Sequence, residues 1–176
     1  MKRLSRPGGG RPAPPAGWRR VLARLPLIAY RIGLGFLFGR RLLLLRHTGR
    51  VSGRIREVCL EVVEHDEAQG RWTVASGFGT RSQWYRNLRH TPEASVQVGR
   101  SRRSVRARFL PATEGADVME RYARRHPRAA RALCRYLALP WDGTAQGYRR
   151  AGAELPFVCL EEEPVEAPVG PPPAVP

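Results

Sequence analysis

Between residues 42 and 110 the apolar residues fall in short strand-like runs, and most of the links between them are too short for a crossover helix. Leu42–His47 is a short apolar run suited to a buried strand, and Thr48–Gly49 opens a loop bounded by Gly49 and Gly53. Arg56–Glu64 alternates, with Val58, Leu60 and Val62 on one face and mostly charged residues on the other, the pattern of a half-buried strand. After the polar turn His65–Gly70 comes a third strand, Trp72–Ser76. Ser95–Val98 and Ser104–Leu110 make a hairpin around Gly99–Arg100, with alternating arginines on its wet face. A parallel pair needs a connection of about a dozen residues, so these neighbours pair antiparallel. Gln83–His90 is a short helix stopped at Thr91–Pro92. Ala116–Leu139 is the longest helix, with Val118, Met119, Tyr122, Ala130, Leu133 and Leu137 apolar and Pro127 kinking or dividing it. Leu155–Leu160 is the last strand. This order predicts an α+β, mainly β domain, a small antiparallel sheet or barrel with helices packed outside.

The ends of the chain are different in kind. Of 16 prolines in 176 residues, ten lie in residues 1–15 and 164–176, which marks both ends as unstructured tails and leaves one domain. The expected organisation is a disordered basic tail over 1–16, an amphipathic helical segment over 17–40, the barrel domain over 41–162 and a disordered proline-rich tail over 163–176. Within residues 17–38, Trp18, Val21, Leu22, Leu25, Ile28 and Ile32 recur at helical spacing, and Pro26 opens a second piece. A basic amphipathic helix either docks on the core or lies on an anionic membrane. Its apolar stretch Leu25–Phe38 contains Arg31 and is shorter than the roughly 20 residues that cross a bilayer. A tail of Gly, Pro and Arg ahead of any apolar run is not a secretory signal. The expectation is a cytoplasmic protein that can sit peripherally on the inner face of the membrane.

Charge narrows the partners. The net charge is +16, and every basic residue except Lys2 is an arginine. Residues 1–56 hold 14 basic side chains and no acid, whereas residues 154–176 hold five acids and no base. The first third therefore faces something anionic: nucleic acid, a lipid surface or a small polyanion. No nucleic-acid-binding module is recognisable, and aromatics do not interleave with the arginine-rich hairpin as a stacking platform requires.

Several chemistries find no support in the sequence. Gly33, Gly35 and Gly39 do not have the dinucleotide-fingerprint spacing and follow no strand, so they read as glycines thinning an apolar helix. His47, His65, His90 and His126 lie at no metal-ligand spacing. Neither a Gly-x-Ser-x-Gly elbow nor a P-loop is present. Cys59, Cys134 and Cys159 have no C-x-x-C spacing and leave an odd one over, the pattern of reduced thiols.

Two segments are placed for binding. In Arg50-Val51-Ser52-Gly53-Arg54-Ile55-Arg56, a glycine-flanked turn presents three arginines and a hydroxyl, a set that can surround an anion. A solvated turn in an arginine-rich protein is the plain alternative. In Ala75-Ser76-Gly77-Phe78-Gly79-Thr80, glycines at a strand end let a flat ring approach the backbone, with Ser76 able to hydrogen-bond it. Gln83-Trp84-Tyr85-Arg86-Asn87 follows, where Trp84 and Tyr85 either face that site or anchor the short helix in the core.

Together these segments resemble a known family. The ordered set Arg46-His-Thr-Gly-Arg-x-Ser-Gly-x-x-Arg56, Ala75-Ser-x-x-Gly79, Trp84-Tyr-x-Asn-Leu-x-x-x-Pro92 and Val96-Gln-Val98 is similar to the deazaflavin-dependent nitroreductases. The resemblance runs from about Leu42 to Leu160. It implies a split β-barrel, related to the flavin-binding split barrels, that binds coenzyme F420. It also implies hydride transfer from the reduced deazaflavin to a quinone, nitroaromatic or other conjugated acceptor. Split-barrel proteins binding flavin mononucleotide (FMN) or haem, and a non-catalytic basic module for nucleic acid or membrane, are the alternatives.

The tail of F420 carries a phosphate and a string of glutamates, and the resemblance places it on Arg50, Val51, Ser52 and Arg56. Val51 stands where the family often has lysine, and Arg54 is the substitute. By the same resemblance Glu57, Val58, Cys59 and Leu60 run along the cofactor by their backbone. Ala75, Ser76 and Gly77 lie against the ring, and Gln83, Trp84, Tyr85, Arg86 and Asn87 close the tail side. Ser76 and Tyr148 are the candidates for a hydrogen bond or proton to the reduced product, and Trp141 lines the same mouth.

Overall fold

The computed structural model describes residues 41–163. The helix expected over 17–38 and the expected tails lie outside these residues. Six strands, β1 (Leu42–Thr48), β2 (Ile55–Asp66), β3 (Arg71–Ala75), β4 (Glu93–Val98), β5 (Ser101–Phe109) and β6 (Phe157–Glu162), close into a barrel in the order β1-β2-β3-β6-β5-β4. Every pairing is antiparallel. The split barrel expected from the sequence is the fold observed.

Strand alternation explains the interior. Leu43 and Leu45 of β1, Val58, Leu60 and Val62 of β2, Trp72 and Val74 of β3, and Val158 and Leu160 of β6 point into one apolar cluster with Val96, Val105 and Ala107. The register pairs these positions across the ladders, Leu43 with Leu60, Leu45 with Val58, Val74 with Val158 and Trp72 with Leu160. The period breaks once. Between Val62 and Glu64 the register shifts, and this bulge turns Val63 outward, where it packs under the helices.

The helix α1 (Gln83–His90) spans the residues expected for it. Trp84 and Leu88 join the barrel cluster, and Tyr85 stands edge-on to Phe109 at 5.0 Å. Outside the barrel, α2 (Ala112–Arg125), α3 (Pro127–Tyr136) and α4 (Ala145–Glu154) form a second apolar cluster with Phe157. Pro127 divides the expected long helix in two and takes the first-turn position of α3, where its missing N–H costs no hydrogen bond. Among the described residues no helix is long and apolar enough to cross a membrane.

Ion pairs tie the helices to the barrel. Glu64 on β2 accepts from Arg121 at 2.8 and 2.9 Å and from Arg125 at 3.2 Å. The hydrogen bonds from Arg121 hold its carboxyl below the ordinary range, against the opposing effect of burial. A depressed carboxylate stabilises the fold above its unfolded pKa, and that contribution disappears as pH falls through the folded value. Solvent screens this partly exposed cluster, so Glu64→Gln is expected to cost about 0.5–1 kcal/mol at neutral pH. Urea unfolding should show the gap between the two proteins closing on acidification below about pH 4.

Candidate active site

The barrel has an opening where β2 changes partners. Ile55–Glu61 pair with β1 and Val62–Asp66 with β3, so among the described residues no second strand covers the far edge of Ile55–Glu61. Val62 donates its N–H to the carbonyl of Arg41 at 2.8 Å, in line with the β1 ladder. Antiparallel alternation then sends the backbone groups of Val58 and Leu60 to β1 and those of Glu57 and Cys59 toward the opening. The expected backbone run from Glu57 to Leu60 therefore narrows to Glu57 and Cys59, because Val58 and Leu60 also bury their side chains in the barrel. Burial, together with the nearby Glu57 carboxylate, pushes the Cys59 thiol up to about 11, so it stays protonated at neutral pH.

The opposite lip is the end of β3. Ala75 pairs with Phe157, and the chain then turns through Ser76–Gly79. Ser76 is 1% exposed. Its N–H donates to Pro156 O, its carbonyl accepts from Gly79 N–H, and its hydroxyl bonds Gly79 O and Ser82 Oγ, all at 2.8 Å. The hydrogen bond expected from Ser76 to ring or product is thus replaced by a role in holding this turn, with the hydroxyl already engaged. Gly77 faces Leu137, and a methyl group there would sit 3.5 Å from the Leu137 side chain in ordinary contact.

At the base of the opening the arginine loop meets α1. Gly49 N–H donates to Arg54 O and Gly53 N–H to Gly49 O, closing a tight turn in which Gly53 takes a φ of 64°. Arg50 reaches α1 three times: its backbone N–H donates to Asn87 Oδ1 at 3.2 Å, and its Nη1 to Asn87 Oδ1 at 3.0 Å and Gln83 Oε1 at 2.8 Å. Val51 is 89% exposed, and Ser52 accepts from Arg56 Nη2 at 3.5 Å. Arg54, Arg56 and Arg86 are exposed. Trp84 and Tyr85 are core anchors, and what α1 turns to the loop is the side chains of Gln83 and Asn87. Its first turn carries no acid and no side-chain cap, because Ser82 Oγ bonds Ser76 instead. The leading N–H groups of that turn therefore have no intrahelical acceptor and favour an anion.

Sequence reasoning missed one residue here. His47, set aside for lacking metal-ligand spacing, is 4% exposed at the end of β1, with Nδ1 3.2 Å from Asn87 Nδ2. The usable signal was its place two residues ahead of the Gly49–Arg50 turn, on a strand whose alternate positions point inward.

On the helical side, Ala75, Val63, Leu137, Trp141 and Tyr148 belong to the second apolar cluster. The Trp141 and Tyr148 rings lie 5.5 Å apart. Trp141 Nε1 is buried without a hydrogen-bond partner, and Arg131 stacks on the Trp141 ring at 5.9 Å. Tyr148 begins the second turn of α4, a helix capped by Thr144, whose hydroxyl accepts from Gly147 N–H at 3.0 Å.

The arrangement is a strand edge that no second described strand covers, beside a glycine-bearing turn and an acid-free cationic loop, with Ala75 joining the apolar cluster that holds Trp141 and Tyr148. Its donors are guanidinium, amide and backbone N–H groups, which fit a flat heterocycle carrying an anionic tail. Two surface cavities lie along the helical side of the barrel: one of about 530 Å³ is lined by Glu64, Arg108, Asp117 and Arg121 among others, and one of about 730 Å³ runs from Glu61, Val62 and Val63, where β2 changes partners, to Tyr122, His126 and Pro127.

The chain is similar to known proteins in sequence and in fold. The family model described as F420H(2)-dependent quinone reductase matches residues 28–134. The chain is 34% identical over 93 residues to the Mycobacterium tuberculosis protein Rv3178, provisionally named an F420H(2)-dependent quinone reductase, covering 52% of this chain and 76% of that one. Among solved structures, a protein of unknown function from Agrobacterium tumefaciens shares the fold with a TM-score of 0.51 at 20% identity, over 80% of this chain and 56% of its own. An F420-H2 dependent reductase, FDR-A, aligns with a TM-score of 0.49 at 24% identity, over 70% of this chain and 96% of its own.

Proposed function

The chain belongs to the F420H(2)-dependent quinone reductase family, and on that premise we propose that it reduces a quinone at the mouth between Ala75–Gly77 and the Trp141–Tyr148 pair. The family's cofactor is coenzyme F420. The observation that carries the site assignment is that, among the described residues, no second strand pairs with the far edge of Ile55–Glu61, which lies beside an arginine loop free of acids. Arg50, Arg54 and Arg56 bind the anionic tail, assisted by the leading N–H groups of α1. The backbone of β2 at Glu57 and Cys59 and the turn at Ala75–Gly77 would hold the ring. When bound in reduced form, the cofactor supplies the hydride.

The chain's own contribution is placement. Ala75, Leu137 and Trp141 exclude water from the reacting face, and Tyr148 hydrogen-bonds the acceptor oxygen as negative charge grows on it. Hydride transfer needs donor and acceptor atoms about 3–3.5 Å apart, so these residues would serve by holding a flat quinone against the bound cofactor. Nitroaromatic and other conjugated acceptors are proposed to enter by the same mouth.

Steady-state oxidation of reduced F420 with quinone and nitroaromatic acceptors tests this reading. Tyr148→Phe is expected to lower kcat/KM for the quinone about tenfold and to leave F420 affinity unchanged. A loss of F420 affinity equal to the loss of turnover would place Tyr148 on the cofactor side and contradict the assignment.

A further inference from the structure

We infer that His47 is a positioning residue for the anionic tail: it sets the polarity of the Asn87 amide, and through that amide the pose of Arg50. The inference rests on the reading of Arg50 as a tail contact and adds to it the residue that prepares that contact.

The hydrogen-bond directions carry the argument. Arg50 brings two donors, its backbone N–H and Nη1, to one atom of Asn87, and a guanidinium has no acceptor to offer. That atom is therefore Oδ1, and Nδ2 faces His47. An amide nitrogen only donates, so His47 Nδ1 accepts the 3.2 Å bond and the ring proton sits on Nε2. Three residues from three elements thus form one directed chain, from Arg50 to Asn87 and from Asn87 to His47. Asn87 is itself buried, so either end left unsatisfied carries a desolvation cost.

Protonating His47 reverses that logic. Its Nδ1–H would point at the Asn87 NH2, donor against donor. Flipping the amide to satisfy the imidazolium would instead turn NH2 toward the two donors of Arg50. No amide orientation serves both neighbours, so a charged His47 releases Arg50.

The surroundings favour the neutral ring. Arg56 is its cross-strand neighbour on β2, and Arg50 lies beyond the amide. Opposite it on β4 stands Ala94, whose neighbour Glu93 pairs with Arg106. On α1, Arg86 and His90 are exposed. Burial pushes the imidazole below its ordinary value, ahead of the opposing backbone hydrogen bond with Thr48 and the further lowering by Arg56.

The test has two readouts. In the cofactor-free protein, long-range proton–nitrogen NMR should show His47 with Nδ1 unprotonated at neutral pH; a protonated Nδ1 overturns the inference. F420 affinity, followed by fluorescence, should fall by up to about tenfold between about pH 7.5 and pH 5, a window extending below the ordinary histidine range because burial holds this imidazole low. His47→Leu removes the acceptor and is expected to bind about tenfold more weakly than wild type at about pH 7.5, with the gap closing at the lower pH. His47→Gln supplies an acceptor that does not titrate, so it should recover most of the affinity and flatten the pH dependence. Any titration of F420 itself is common to these proteins and cancels in their ratio. Tight F420 binding with the same pH slope in wild type and His47→Gln overturns the inference alone. Absence of F420 binding by the wild-type protein at every pH overturns the cofactor reading and this inference with it.

Discussion

Arg50→Glu/Arg56→Glu is expected to weaken F420 binding by about 100-fold or more, roughly 3 kcal/mol, while the barrel stays folded. The double reversal changes the local charge by four units in a loop that holds no compensating acid. Each glutamate then repels the tail that the arginine attracted. Arg50→Glu also removes the Nη1 donor to Asn87 Oδ1 and Gln83 Oε1, while the backbone N–H of residue 50 still serves Asn87 Oδ1. Neither side chain belongs to the barrel core, so the thermal midpoint should move little. Calorimetric titration at two salt concentrations checks the electrostatic origin. The wild-type affinity should fall with salt, and the residual affinity of the variant should be nearly independent of it.

The largest effect on stability is expected at Gly152→Val. Helices α2 and α4 cross at Gly115 and Gly152, and a methyl group at Gly152 would lie 2.5 Å from Gly115 O, 2.5 Å from Met119 Cβ and 2.9 Å from Ala116 Cα. Two of these atoms are backbone and cannot rotate away, so the helices must separate. The α2–α4 packing that would be lost is clamped by Arg149, bonded to Asp117 and Glu120 of α2. Overpacking of this kind costs about 3 kcal/mol or more, and urea unfolding should show a lower midpoint. Because Tyr148 rides on α4, the same variant should lose quinone turnover before F420 binding.

Glycine also explains why α4 was absent from the sequence reading. Ala145–Glu154 contains Gly147 and Gly152, two arginines in its middle and only one large apolar residue, Tyr148, so neither propensity nor period marks it as a helix. What makes it one is tertiary, the close crossing that only glycine permits. The strands were legible because they alternate about a single interior, and the tight Gly99–Arg100 hairpin and the length of α1 could be read directly. Pro127 announced a break, and its position at the start of α3 shows how the break is made.

The site divides along the same line. The tight turn that presents Arg50 was legible from Gly49 and Gly53, and so was the glycine-bearing turn after Ala75. Side-chain direction was not. Trp84 and Tyr85 turn into the barrel because α1 presents one apolar face inward, leaving Gln83 and Asn87 for the loop. Ser76 looked like a free hydroxyl until its partners, Gly79 O and Ser82 Oγ, were visible. His47 could not be recognised from spacing, since its partner Asn87 lies 40 residues ahead on α1 and meets Arg50 of the turn only through that amide.

The central claim is that the uncovered edge of β2 and the arginine loop together make a deazaflavin site. The most direct test is a fluorescence titration of the purified protein with oxidised F420, run beside an identical titration with FMN. The account predicts saturable binding of F420 at micromolar protein and much weaker binding of FMN, whose single phosphate engages only part of the arginine loop. Equal or tighter binding of FMN, or no saturable change with F420, would contradict it.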